Sequence, residues 1–334
     1  MKFAHRIIVI LLLLLALPAI TAAQESTMPA EVDSGDEYFP FHGYLRFLGT
    51  DRPMVNLFPG EGISGLSFRE RPDGGQDWMQ TLELLSYNSI ALDWPGTGRA
   101  TTVLNQDYIR ALRAHLTASY DTGRGTGAKL SIAHAEAAAL LIKARSYEHW
   151  VSSTAVLIDP IGPQYSQPLE PVSFEQALER RERFDQRLWQ SWGFGPRPGV
   201  LNEGLDLDLP TAMQIFEDYD RQAFQIRPAL LQPIISPLRV RGPARLAGWR
   251  VLMVRTSGAD EAQVKRETAL TAWLQDAGVH VDHLDLGSDP AFASTTGLPW
   301  VGESSTAVIE RFVEWFEEAI LLVPEPELPT AQGS

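Results

Sequence analysis

The stretch Lys129-Leu-Ser-Ile-Ala-His-Ala-Glu-Ala-Ala-Ala-Leu-Leu141 decides how this chain folds. Residues from Leu130 to Ala133 read as a strand, and the pattern from Glu136 to Ser146 reads as a helix. The two are joined by a very tight turn. Such a turn brings strand and helix so close that the residues two before and two after its tip must be small. Ala133 and Ala137 meet that demand around Ala135. Moving the tip to Glu136 puts His134 at the first crowded position, where an imidazole fits poorly. Ala135 is therefore the tip, and its methyl group cannot attack a carbonyl.

On either side of this segment, strand-like runs occur at Tyr44–Leu48, Val55–Phe58, Ser89–Asp93, Ala155–Ile158, Val251–Arg255 and His280–Leu284. Helical patterns fall at Gly74–Leu85, Gln106–Ser119, Gln263–Ala277 and Thr306–Leu322. This alternation predicts an α/β fold with a mostly parallel central sheet covered by helices on both faces. It assigns a core to residues 43–163 and 246–322. Between 164 and 245 the alternation stops. Two charged helical stretches, Phe174–Trp192 and Thr211–Arg227, flank Gly193-Phe-Gly-Pro-Arg-Pro-Gly199 and read as a helical cap inserted into the core. Residues 24–42 are acidic and aperiodic, which predicts a mobile lead-in. The acidic, proline-rich tail at 323–334 is expected to be extended and disordered.

The first residues, Met1-Lys-Phe-Ala-His-Arg6, precede an apolar run from Ile7 to Ile20 and then Thr21-Ala-Ala23. That order predicts a cleavable signal peptide at 1–23 and a secreted or periplasmic protein with no membrane attachment after cleavage. A retained anchor is the weaker reading, because the run falls short of the roughly 20 residues needed to span a bilayer and Pro18 interrupts it. The chain carries 28 basic and 42 acidic side chains, a net charge of −14, and no cysteine. Loss of Lys2 and Arg6 makes it more negative still. Such a surface repels nucleic acid and anionic lipid. The absence of cysteine removes disulfides, thiol nucleophiles and thiolate metal ligands.

Several stretches resemble the α/β-hydrolase superfamily, in particular a branch of secreted bacterial esterases. Gly43-Tyr-Leu-Arg-Phe-Leu, then Met54-Val-Asn-Leu-Phe-Pro-Gly-Glu-Gly-Ile-Ser-Gly65, is similar to that branch's opening hairpin and its His-Gly-Gly-Gly loop. Arg71-Pro-Asp-Gly-Gly-Gln-Asp-Trp78 and Ser89-Ile-Ala-Leu-Asp-Trp-Pro-Gly-Thr-Gly-Arg99 resemble its Pro-Asp-Gly-Arg-x-x-Trp segment and Asp-x-Pro-Gly-x-Gly-Arg-Ser loop. Ile158-Asp-Pro-Ile-Gly-Pro163 resembles its Glu-Pro-x-Gly-Pro element, and Trp192-Gly-Phe-Gly-Pro-Arg197 with Leu209-Pro210 its cap. The resemblance runs from about Gly43 to Ile320.

It implies a nucleophile elbow at Ala135, where the nucleophile is substituted. It also implies a triad acid at Asp159, shorter than the family's Glu, and a histidine position at Leu298, also substituted. The oxyanion hole of such enzymes is built from backbone N–H groups. The matching positions are Gly60, Glu61 and Glu136. Pro59 replaces the family's His, and Glu61 brings a negative charge. The segment Pro59-Gly-Glu-Gly62 is therefore either a polar cradle or simply a tight loop.

No other residue restores the missing pair. His115 and His149 lie in helical stretches, and His280 and His283 flank a strand. His134 supports the turn, and the Ser131 hydroxyl is directed into packing. No metal motif is present: Asp206 and Asp208 lack a third ligand nearby, and no cofactor is implied. Glu179 with Arg183 is an ordinary solvated pair. The aromatics Trp189, Trp192, Phe194, Phe216, Tyr219 and Phe224 either roof a pocket over the elbow or form the core of the cap.

The leading expectation is an exported pseudoenzyme that binds a small apolar or ester-like ligand, or a protein partner, in the former cleft. One alternative is an active carboxylic-ester hydrolase whose nucleophile lies elsewhere, or whose Asp159 or Glu136 activates water. The other is a surface scaffold.

Overall fold

The computed structural model describes residues 30–33, 42–60, 65–69, 71, 75–93, 129–147, 154–162, 243–256, 259, 261–292 and 297–321. Among the described residues eight strands form one sheet: β1 (Ala30–Asp33), β2 (His42–Arg46), β3 (Met54–Phe58), β4 (Asn88–Asp93), β5 (Lys129–His134), β6 (Thr154–Ile158), β7 (Arg250–Arg255) and β8 (His280–Asp285). Their order is β1-β2-β4-β3-β5-β6-β7-β8. β1 and β2 pair antiparallel, as do β2 and β4, and every pairing from β4 through β3 to β8 is parallel. The helices are α1 (Trp78–Leu84), α2 (Glu136–Tyr147), α3 (Glu261–Asp276) and α4 (Ser305–Leu321).

The central strands are buried and mainly apolar because helices cover both of their faces. On one face Val55, Leu57, Leu130, Ile132, Val156, Leu252 and Val254 share a cluster with Trp78 of α1 and Phe312 and Phe316 of α4. On the other, Phe58, Ala133, Ala155, Leu157 and Met253 pack with Leu141 of α2 and Leu270 of α3. Alternation along each strand sends successive residues to opposite layers. Edge strand β8 has no fully buried residue.

Helix α1 begins where it does because Asp77 caps it. The Asp77 carboxylate accepts from Gln80 N at 2.7 Å, and the Gln80 side chain accepts from Asp77 N at 3.4 Å. This reciprocal pair satisfies two of the donors that a helix start leaves open.

The seven sequence-expected strands and four of the five expected helices are present. Ala30–Asp33 is a strand, paired with β2 in the register Ala30 with Leu45 through Asp33 with His42. It falls inside the lead-in expected to be mobile. Its sequence is Ala-Glu-Val-Asp, and it closes one edge of the sheet. The expected helix at Gln106–Ser119, the cap helices, the signal segment and the tail lie outside the described residues.

Candidate active site

The elbow has the geometry its sequence demands. β5 is buried along its whole length, and Ala135 then adopts φ 49°, in the left-handed region. For a residue with a Cβ this costs roughly 1–2 kcal/mol. The backbone holds it there. Ala135 N donates to Ile158 O at 2.9 Å, and Ala135 O accepts from Ala138 N at 3.2 Å and Ile161 N at 3.1 Å. Ala133 and Ala137 are both buried at the crossing of strand and helix.

The loop after β3 meets this turn. A Cβ added to Gly60 would lie 2.6 Å from His134 Nδ1 and 3.3 Å from the Ala135 methyl. Only glycine allows that approach. Gly60, Ala135 and Glu136, which opens α2, are therefore brought together at the C-terminal end of the sheet. Glu61 lies outside the described residues. The loop is secured from behind by Asp93, whose carboxylate accepts from Gly65 N at 2.7 Å and from the Tyr44 hydroxyl at 3.2 Å. Asp93 thus acts as a buried strut.

His134 joins the elbow to the C-terminal loop. Its ring stands edge-on to Trp300, with centroids 5.1 Å apart. Burial pulls its pKa down to about 4, opposed in part by a hydrogen bond to the Gly297 backbone. The same loop carries Leu298, which is 1% exposed and belongs to the core. Trp300 fixes the loop by donating from Nε1 to Ser67 Oγ at 3.0 Å. Arg71 fixes it further along, donating from Nη1 to Gly302 O at 2.8 Å and to Ser305 Oγ at 2.7 Å. The segment containing Leu298 therefore packs on the elbow, and the side chain it contributes is a hydrocarbon.

Asp159 follows β6 and also has a left-handed backbone, φ 44°. Its carboxylate accepts from Thr256 N at 3.0 Å through Oδ1 and from the Thr256 hydroxyl at 2.5 Å through Oδ2. Burial raises its pKa to about 6. The two Thr256 bonds hold it down, Glu267 pushes it up and Arg255 pulls it back. Next to it, Arg255 grips Glu267 with two bonds of 3.0 and 3.1 Å and reaches Asp285 at 3.3 Å. His283 lies 3.5 Å from Glu267 and its side chain is 48% exposed. That histidine therefore sits beside Glu267 between α3 and β8. Thr256 had no signal in the sequence, and the resemblance that placed Leu298 in its loop gave no sign of the contacts of Gly297 and Trp300 with His134, because each acts through a partner far along the chain. Among the described residues no cluster of His, Cys, Asp or Glu could hold a metal ion. None of the described helices is long and apolar enough to cross a membrane.

The strand order, the left-handed turn after β5 and the glycine loop against it define the α/β-hydrolase fold. Solved structures of that fold superpose on this chain. A bromoperoxidase from Bacillus anthracis matches with a TM-score of 0.57 at 13% identity, over 88% of this chain and 99% of its own. A carboxylesterase from Nitrososphaera gargenis matches with a TM-score of 0.58 at 15% identity, over 87% of this chain and 100% of its own. An esterase from Rhodococcus sp. ECU1013 matches with a TM-score of 0.55 at 13% identity, over 87% of this chain and 99% of its own. No family model and no curated protein matches. At these identities the likeness is one of fold.

Proposed function

We propose that this chain is an exported α/β-hydrolase-fold protein that has lost serine esterase chemistry. In this reading it binds a small apolar or ester-like ligand, or a protein partner, at the former elbow. The observation that carries the reading is Ala135 at φ 49°, on a turn that Gly60 closely abuts. The turn is retained and the nucleophile is not. Buried Leu298 and a carboxylate whose two oxygens both accept from Thr256 support the same conclusion. Export rests on the order of charged, apolar and small residues from Met1 to Ala23.

Loss of Ser or His from such a triad lowers turnover by about 10⁶, and the remaining cradle retains roughly 10³–10⁴ over water. The protein without its first 23 residues, incubated with short-chain aryl esters and a fluorophosphonate probe, is expected to stay unlabelled and near that floor. Robust turnover with covalent labelling overturns the proposal. Ala135→Ser alone is expected to stay unlabelled too, because buried Leu298 holds the position from which an imidazole would take its proton. For the ligand, acyl and aromatic compounds that bind the native state raise its melting temperature by mass action. No shift with any compound favours the surface scaffold.

A second reading has Asp159 activate water, and it draws on the raised pKa of about 6. The first is preferred because each oxygen of that carboxylate already accepts a bond from Thr256.

A further inference from the structure

The two strands that carry the site also share a polar pair beneath it. Asn56 on β3 and Ser131 on β5 are direct register partners, so both side chains leave the sheet on one face. It is the face of Phe58 and Ala133, under α2. Their neighbours on the same rung are Ile90 on β4 and Ala155 on β6. Asn56 is 1% exposed and Ser131 is 0% exposed. Asn56 Oδ1, Asn56 Nδ2 and Ser131 Oγ all lack a hydrogen-bond partner within the protein.

An amide and a hydroxyl together offer both donors and acceptors. Buried polar groups in native proteins bond either to protein or to ordered water. Neighbouring strands stand about 4.8 Å apart, and a water making bonds of about 2.8 Å on each side bridges such a gap. Ala155 continues the rung as a small side chain, and α2 contributes Ala137, Ala138 and Ala144 alongside Leu140, Leu141 and Ile142 to the same cluster.

We propose that Asn56 and Ser131 form a buried hydration site holding at least one ordered water. Water donates and accepts at once, so it serves the Asn56 amide and the Ser131 hydroxyl together. Asn56 precedes Gly60 by the same four residues that separate Ser131 from Ala135. The bridge therefore ties together, below the site, the two strands whose ends meet at it. It holds whether or not the elbow has lost its chemistry.

A crystal structure of the full chain, at a resolution that shows waters, is expected to place one within bonding distance of Ser131 Oγ and an Asn56 amide atom. A direct Asn56–Ser131 bond with no water between them overturns the proposal. Oxygen-17 magnetic relaxation dispersion gives a second arm. Asn56→Leu combined with Ser131→Ala is expected to remove at least one long-lived water from the parent's count, and an unchanged count overturns the proposal. Should the double variant fail to fold, the crystal structure of the parent decides.

Discussion

Two neighbouring turns, at the ends of β5 and β6, make the same demand on the backbone and answer it with different side chains. Ala135 has φ 49° and Asp159 has φ 44°, and each pays the steric penalty of a Cβ in the left-handed region. Asp159 offsets it, since its carboxylate holds Thr256 by two bonds and short polar side chains tolerate this conformation best. Ala135 has nothing to offset it with. Its turn is held from outside, by Ile158, Ile161 and the first turn of α2. Backbone strain persists where the surroundings over-determine it. The acid turn keeps its strain with a structural return, and the elbow keeps it with only a methyl at its tip.

The sharpest way to break this comparison is to put glycine at both turns. At Asp159 the substitution relieves the backbone but strips Thr256, which is 2% exposed, of the acceptor for both its N–H and its hydroxyl. Bonds to a charged acceptor contribute about 1.5–3 kcal/mol each. Asp159→Gly is therefore expected to destabilise by about 3 kcal/mol net in urea denaturation. Unchanged stability would show that Thr256 is not anchored by this carboxylate. Next in size is Gly60→Ala. Its new methyl meets His134 Nδ1 at 2.6 Å and Ala135 Cβ at 3.3 Å, and overpacking of this kind costs about 2 kcal/mol. Tolerance of alanine there would separate the loop from the elbow.

A pH series sharpens the comparison from the acid side. The Asp159 pKa rises from 3.8 to about 6 on folding, so between those values the folded chain holds a proton that the unfolded chain has released. Its contribution is full below about pH 4 and is lost as pH rises through 6. Asp77, also raised to about 6 by burial, acts in the same direction. His134 acts oppositely: with its pKa lowered from 6.5 to about 4, its contribution is full above 6.5 and is lost as pH falls through 4. The Asp159→Asn variant isolates the first effect, because Asn tolerates the same backbone and does not titrate. The parent's stability relative to that variant is expected to fall by roughly 1–2 kcal/mol between pH 4 and 6.5, discounted for the partial exposure of the carboxylate. A flat difference would remove burial as the cause of the shift.

What the sequence disclosed and what it hid follow from the range of the interactions. Lys129–Leu141 reveals strand, tip and helix because a crossing that tight filters its neighbours for size, and size is visible residue by residue. The central strands are visible because burial on both faces makes them mainly apolar. Strand β1 is not, since an edge strand of Ala-Glu-Val-Asp owes its place to ladder bonds that any sequence can make. The engagement of Asp159 with a threonine 97 positions further on leaves no local trace. Arg71 reaches across 231 positions to Gly302, and no local pattern marks that either. The motif around Asp159 thus disclosed its place in the fold and hid its partner.

The smallest effect carries the most direct statement about the elbow. Ala135→Gly removes a left-handed penalty of roughly 1–2 kcal/mol, and it gives the unfolded chain extra freedom that takes back about 0.4–1 kcal/mol. The net expectation is a gain of about 0.5 kcal/mol in chemical denaturation. That is opposite in sign to the same substitution at Asp159. The methyl of Ala135 lies 3.3 Å from where a Cβ on Gly60 would stand, so a second outcome is informative. If glycine at the elbow instead costs more than about 1 kcal/mol, that methyl is packing that holds the glycine loop against the turn, and alanine was fixed there for stability rather than left behind by a lost nucleophile.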